Sequence, residues 1–220
     1  MMLNLKDVTL VALSSVKIDE TIFALQKSCE QINFADIKLI THNLPSNLPT
    51  KIQFNEIEKI ENIDQYSYHM IYSLGKYIET PYALTVQYDG FVINPSAWIN
   101  EFLNYDYIGA PWPIPKDNFS YRDINKNLIR VGNGGFSLRS KKLIDLPNNI
   151  NLEWKPFHGF YNEDGFITCN YRHIYEQNGC NFANIDIAKY FSHETKIPEI
   201  EGIVPFGFHG KNFYYERFKK

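Results

Sequence analysis

Tyr82-Ala83-Leu84-Thr85-Val86-Gln87-Tyr88-Asp89-Gly90-Phe91-Val92 holds the pattern that decides the fold. Ala83 to Val86 is apolar apart from Thr85, which reads as a buried strand of a sheet covered on both faces. The run stops at an acidic residue followed by glycine. Ligands of open α/β sheets bind outside the carboxyl ends of the strands, so Asp89 stands where a ligand or a hard divalent cation is expected. Asp-Gly is equally the mark of an ordinary turn that carries no chemistry.

Upstream of this stretch, apolar runs and helical periodicity alternate. Val8 to Leu13 predicts a first buried strand ending at Ser14-Ser15. Ile18, Ile22, Leu25, Cys29 and Ile32 share one helical face. Ile37 to Ile40 predicts a second strand, Lys51 to Ile57 a third, and Tyr66, Met70, Leu74 and Ile78 a second helix. Strand–helix alternation of this kind favours a parallel sheet of the nucleotide-binding type. Downstream the alternation loosens. Asn94-Pro95 predicts a helix running to about Tyr105, with Asn as cap and Pro at the first position. Pro113 to Arg130 is a long polar loop of the kind that serves as a lid. Asn162 is expected to cap a helix that Gly179 ends, Phe182 to Phe191 to form a late strand, and Lys211 to Lys220 a surface helix.

A chain of 220 residues with 44% hydrophobic and 21% charged residues can bury a sizeable core as a single domain. A net charge of −3 offers no electrostatic footprint for nucleic acid. Cys29, Cys169 and Cys180 are odd in number and lack metal-ligand spacing, which argues against a disulfide framework and for a reducing compartment. No apolar run is long enough to span a membrane, and polar residues interrupt Met1 to Leu10, so neither a membrane span nor a secretory leader is expected.

Four further segments carry candidate chemistry. Gly132-Asn133-Gly134-Gly135-Phe136-Ser137-Leu138-Arg139 would let backbone approach a ligand, with Asn133 free to bond a sugar hydroxyl or phosphate; a glycine bulge is the plainer alternative. Asn162-Glu163-Asp164 places two carboxylates in a first helical turn, where they complement the helix dipole or supply a general base. His209, between glycines in Phe206-Gly207-Phe208-His209-Gly210, is a potential metal or phosphate ligand, and His193 a weaker one. Trp112, between Pro111 and Pro113, could stack on a sugar face or simply pack.

Taken in order, Gln87-x-Asp89-Gly90-Phe91, Tyr105-Asp106-Tyr107-Ile108-Gly109-Ala110-Pro111-Trp112, the glycine-rich segment, Asn162-Glu163-Asp164 and Phe206–Gly210 resemble the bacterial and viral glycosyltransferase-like proteins once grouped as a domain of unknown function, within the GT-A superfamily. The resemblance spans about Val8 to Gly210. It implies one α/β, Rossmann-like GT-A domain over residues 1–220, with a mostly parallel sheet, a nucleotide-binding half (1–92) and an acceptor half (93–220). It implies a cation, Mn2+ or Mg2+, held by Asp89 and His209 on the diphosphate of a nucleotide sugar. Gln87 stands where such proteins usually carry the first Asp of an Asp-x-Asp motif. Asp164 matches the position of the catalytic base of inverting members. Leu13, Ser14, Gln87, Asp89, Trp112, Asn133, Gly134, Gly135 and Glu163 would contact the donor.

The implied activity is inverting, metal-dependent transfer of a sugar from a nucleoside diphosphate to a glycan or lipid-linked glycan, as in surface polysaccharide synthesis. The implied location is the cytoplasm or the inner face of a membrane. Two alternatives stay open. A sugar nucleotidyltransferase would carry a glycine-rich basic loop after the first strand, which Ser14-Ser15-Val16-Lys17 is not. A degenerate, carbohydrate-binding relative would account for the missing first Asp.

Overall fold

The computed structural model describes residues 2–155 and 162–210, so the expected helix at Lys211 to Lys220 lies outside the described residues. Leu3–Leu13 forms β1, the strand around which the sheet is laid. Its successive side chains alternate between two cores. Leu10 and Ala12 pack in a cluster with Ile22 and Leu25, and Val11 and Leu13 pack on the other face with Met70, Leu74 and Ile78. The two-residue period of a strand thus buries both faces, and every residue from Val8 to Leu13 is buried.

α1 (Ile18–Ser28) returns the chain to β2 (Ile32–Thr41), which pairs in parallel with β1; β3 (Gln53–Glu56) pairs in parallel with β2. α2 (Ile63–Tyr68), capped by the Asn62 side chain on the Gln65 N–H, runs into a π turn (His69–Ser73) and a 3-10 turn (Leu74–Tyr77). The chain then crosses to β4 (Tyr82–Val86), on the other side of β1. The order is β3-β2-β1-β4-β6-β5. β5 (Tyr107–Pro111) and β4 both pair antiparallel with β6 (Val131–Ser140), so the sheet is mixed and mostly parallel, with helices on its faces. Strand order reverses between β1 and β4, and at such a switch point the strand ends diverge and leave a crevice.

Three local expectations fail for identifiable reasons. The segment after Asn94 forms two separate 3-10 turns, Pro95–Ala97 and Asn100–Asn104, rather than one helix. Asn94 makes no cap, because its side-chain oxygen accepts from Ser96 Oγ at 2.6 Å. Trp98 and Phe102 are instead turned onto each other, and Trp98 onto Phe206, in edge-to-face contacts. Phe182 to Phe191 is not a strand. Asn184 accepts from the Asp186 and Ile187 N–H groups and starts a helix, which the strand reading overlooked; only Phe182 bridges to the sheet, at Tyr107.

The Asn162 helix is also broken. After α3 (Lys141–Asn149), capped by Ser140, come a short α4 (Glu163–Gly165), a π turn (Phe166–Asn170) and α5 (Arg172–Gln177). Asn162 does not cap; Asp164 Oδ1 takes the Gly165 N–H instead. Gly179 ends this region at φ +76°, as expected of a helix-terminating glycine. α6 (Ile185–Phe191) leads to the two-residue strand β7 (Ser192–His193), paired with β8 (Gly207–Phe208). The three cysteines are buried and unpaired. Among the described residues no helix is long and apolar enough to cross a membrane.

Candidate active site

The crevice between the ends of β1 and β4 is a cavity of about 300 Å³. Leu13 to Val16 form one wall, Gln87 and Tyr88 another, and Ile60 to Tyr66 a third. Leu13 and Ser14, expected to meet a nucleobase, therefore line a real concavity. Apolar side chains such as Val16 and Ile63 are exposed in it, a surface suited to a flat ring. Ser14 Oγ donates to the Val16 carbonyl, which ties the turn after β1.

Asp89 follows β4 and is buried, and β8 brings His209 against it. His209 Nε2 lies 3.5 Å from Asp89 Oδ1 and 3.0 Å from Gln87 Oε1. Across the ring, Nδ1 lies 3.3 Å from Glu194 Oε1. Burial disfavours a charged imidazole here, but the facing carboxylates of Asp89 and Glu194 outweigh it and lift the His209 pKa to about 9. Burial would raise the Asp89 pKa, and the His209 contact reverses that, so Asp89 is held below its ordinary range. Glu194 was missed in the sequence. It follows β7, and the two-residue pairing of β7 with β8, which carries a His209 N–H to His193 carbonyl bond of 2.9 Å, sets it beside His209. No local pattern announces so short a ladder. His193, the weaker candidate, is buried and donates from Nε2 to the Lys189 carbonyl at 2.7 Å, so its ring serves helix α6.

The glycines of β6 have a use inside the protein. A Cβ on Gly135 would overlap the His209 ring, and one on Gly134 would overlap Glu163 Oε1. They make room for side chains of the protein. Glu163 is buried, with Oε1 3.2 Å from the Arg139 guanidinium, itself 1% exposed, so this ion pair sits under β6. A buried pair of this kind specifies geometry more than it stabilises, but losing one partner costs about 3–5 kcal/mol.

Asp164, beside it, lines a second cavity of about 350 Å³ with Trp112, Asn133, Glu194 and residues 119–121. Burial and the adjacent Glu163 charge push its pKa up to about 7, against the opposing Gly165 N–H bond. The loop from Pro113 to Arg130 walls this cavity. Tyr121 stacks on Trp112 with centroids 4.6 Å apart, and Asp117 and Asp123 tie its turns. One face of Trp112 is therefore already covered by protein.

The two cavities meet through one chain of polar contacts. Tyr66 OH, in the first cavity, accepts from Gln87 Nε2 at 2.8 Å. Gln87 reaches His209, and His209 reaches Glu194. Glu194 Oε1 accepts from Asn133 Nδ2 at 2.8 Å in the second cavity. Asn133, Gln87, Asp89, Glu194 and His209 thus form one cluster, with Asp164 and Trp112 on its far side and Leu13 and Ser14 on its near side. Asp89 Oδ1 is buried and makes no hydrogen bond among the described residues. No group of three or more His, Cys, Asp or Glu side chains there has the arrangement of a metal cage.

The mixed, mostly parallel sheet with helices on its faces and a crevice at its switch point is a Rossmann-like α/β fold. The crystal structure of a glycosyltransferase involved in the glycosylation of the major capsid of PBCV-1 has a similar fold, with a TM-score of 0.52, 14% sequence identity and 96% of each chain covered. The chain belongs to the family described as "Protein of unknown function (DUF5672)", whose model matches residues 49–209. No curated protein matches it in sequence.

Proposed function

We propose that the protein is a GT-A-type glycosyltransferase that moves a sugar from a nucleoside diphosphate to a glycan or glycolipid hydroxyl with inversion. The observation that carries this reading is the chain of polar contacts that links the two cavities. Gln87, which lines the switch-point cavity, reaches His209 beside Asp89, and His209 reaches Glu194, which lines the cavity of Asp164. A donor in the first cavity would present its anomeric carbon toward the second, where the acceptor would enter. The sheet half up to residue 92 would hold the nucleotide, and the rest of the same domain the acceptor.

The donor set fits a divalent cation. Asp89 offers a buried oxygen without a hydrogen bond, and His209, which would give up a proton on binding, a ring nitrogen 3.5 Å away. Mg2+ or Mn2+ typically takes one or two protein carboxylates and completes its shell from phosphates and water, so two or three protein ligands suffice. When bound, such an ion would neutralise charge developing on the diphosphate leaving group.

The protein's own groups supply the rest. Trp112 and Asn133 would bound the transferred sugar, and the Glu163–Arg139 pair would fix the turn that carries Asp164. A base with a pKa near 7 suits a hydroxyl acceptor at neutral pH. Asp164 would take the acceptor proton while the new C–O bond forms on the face opposite the breaking bond to diphosphate. This requires the product anomer to be opposite to that of the donor. A panel of nucleotide sugars with a polysaccharide or lipid-linked acceptor tests the reading, with product configuration read by NMR. Retention of configuration would overturn the inverting assignment, and failure of every sugar nucleotide or nucleoside diphosphate to bind the first cavity would overturn the transferase.

A further inference from the structure

Tyr121 sits in the left-handed backbone region, at φ +53°. A bulky residue is strained there and stays only where the surrounding structure imposes it, and such outliers gather at ligand sites. The imposing structure is a short hairpin of the Pro113–Arg130 loop. The Ile129 N–H donates to the Tyr121 carbonyl at 2.7 Å, Arg122 bridges to Leu128, and the Asp123 N–H donates to the Asn127 carbonyl at 3.0 Å. What the strain secures is the place of the ring. It lies on Trp112 with 21° between the planes, and Trp112 in turn fills the space that a Cβ on Gly132 would take.

The ring is fixed, yet the fold does not use its hydroxyl. Tyr72, Tyr107 and Tyr171 each donate their O–H to a backbone carbonyl. Tyr121 lines the second cavity, and its hydroxyl makes no hydrogen bond among the described residues. Burial, and then the charges of Glu194, Asp164 and Asp117, raise its pKa, so the phenol keeps its proton and is a donor.

The charges around the cavity limit what can enter. Its described lining carries the carboxylates of Asp164 and Glu194 and no lysine or arginine. Arg130, at the end of the same loop, is spent on the Trp112 carbonyl and on Glu199, and Arg122 donates to the Lys126 carbonyl. His209 lies beyond Glu194 and faces Asp89 as well. Ser120, Asn133 and Asn162 add uncharged polar groups to the lining.

We infer that Tyr121 reads the acceptor: its phenol donates to a second hydroxyl of an uncharged sugar, beside the hydroxyl that reacts. This rests on the proposed transferase reading and names the acceptor class for it. The reacting hydroxyl is left to Asp164. A sugar carboxylate or phosphate would meet Asp164 and Glu194 with no cation in the described lining to receive it.

The test is binding to the full chain with saturating UDP or GDP, followed by saturation-transfer NMR. The probes are the methyl glycosides of glucose, galactose and mannose, each with its uronate and its 6-phosphate. At least one neutral glycoside should bind, about 10-fold or more tighter than its two anionic counterparts. Tyr121→Phe keeps the stack on Trp112 and should weaken that glycoside by about 3–10-fold, the worth of one uncharged hydrogen bond, with nucleotide affinity and thermal midpoint unchanged. Among the monodeoxy forms of the same glycoside, one should bind wild type and variant alike, since it lacks the hydroxyl that Tyr121 meets. A structural role would not single out one hydroxyl.

Equal binding by wild type and Tyr121→Phe would overturn this inference. So would an anionic counterpart that binds as well as its neutral parent, or a failure of every glycoside to bind. Nucleotide binding retained in those cases would leave the proposed transferase standing, and binding of no nucleoside diphosphate would overturn both.

Discussion

Asp89 and Asp164 belong to one cluster of polar residues, yet their surroundings drive them in opposite directions. Burial raises the pKa of both. At Asp89 the facing His209 reverses the effect and keeps the carboxylate ionised. At Asp164 the neighbour is Glu163, a like charge, so the two influences add and the pKa climbs to about 7. Two identical side chains are thereby fitted for different work. One remains an anion that can hold a cation, and the other can accept a proton near neutral pH. The difference lies in one neighbour each, supplied by β8 in the first case and by the preceding residue in the second.

The largest effect expected from breaking this contrast is on turnover. Asp164→Asn keeps size and the bond from the Gly165 N–H but removes the proton acceptor. Transfer should fall by about 10²-fold or more, with donor binding within a few-fold of wild type. Measured transfer near the wild-type rate would show Asp164 to be merely a turn-forming acid. Asp89→Ala should weaken Mn2+-dependent donor binding as well as turnover. His209→Ala should do the same, and the double variant should add little, because the pair acts as a unit. Additive losses would separate the two residues.

Stability should move the other way. Because the Asp164 pKa is higher folded than unfolded, folding is penalised once pH exceeds the ordinary carboxylate range, and the penalty is complete above about pH 7. Asp164→Asn should therefore stabilise the protein at pH 8 by on the order of 2–4 kcal/mol, and by almost nothing at pH 3.5. Equal denaturation midpoints for variant and wild type at pH 8 would contradict the desolvated state.

Wild-type transfer should rise with pH through about 7, as the base loses its proton. Glu163→Gln removes the like charge and should shift that limb to lower pH. It also leaves Arg139 without its ionic partner and should cost stability by about 3–5 kcal/mol. A pH–rate profile that stays in place would mean that Glu163 does not tune Asp164. The smallest signal expected is in the Pro113–Arg130 loop. Its amide exchange should slow when nucleotide sugar and acceptor are both present, if the wall of the second cavity acts as a lid. Exchange unchanged at saturation would leave it a fixed wall.

The same contrast explains what could be read from the chain and what could not. The strand–helix alternation before Asp89 is local and periodic, so β1, α1, β2 and β4 are plain in the sequence, and with them the crevice at Ser14 and Gln87. The second half is organised by contacts between distant segments. Asn94-Pro95 has the marks of a helix start, but Trp98 and Phe102 prefer the ring of Phe206 and its neighbours, and tertiary packing wins. Asn184 is a genuine cap in a segment whose Phe and Ile content suggests a strand. Glu163 reads as a residue aimed at ligand, whereas its Oε1 lies on Arg139, and nothing nearby in sequence points to that guanidinium. Glu194 depends on a ladder two residues long.

That ladder has a kinetic meaning. Gln87 and His209 are 122 positions apart, and β7 and β8 offer little pairing energy of their own to draw them together. Closing so long a loop costs entropy that only an already formed sheet can offset. His209 should thus settle late in folding, after β1, β4 and β6 have set the groove that receives it. Assembly of the Asp89–His209 pair then becomes a report on successful folding: a molecule misassembled in its later segments would lack His209 at Asp89.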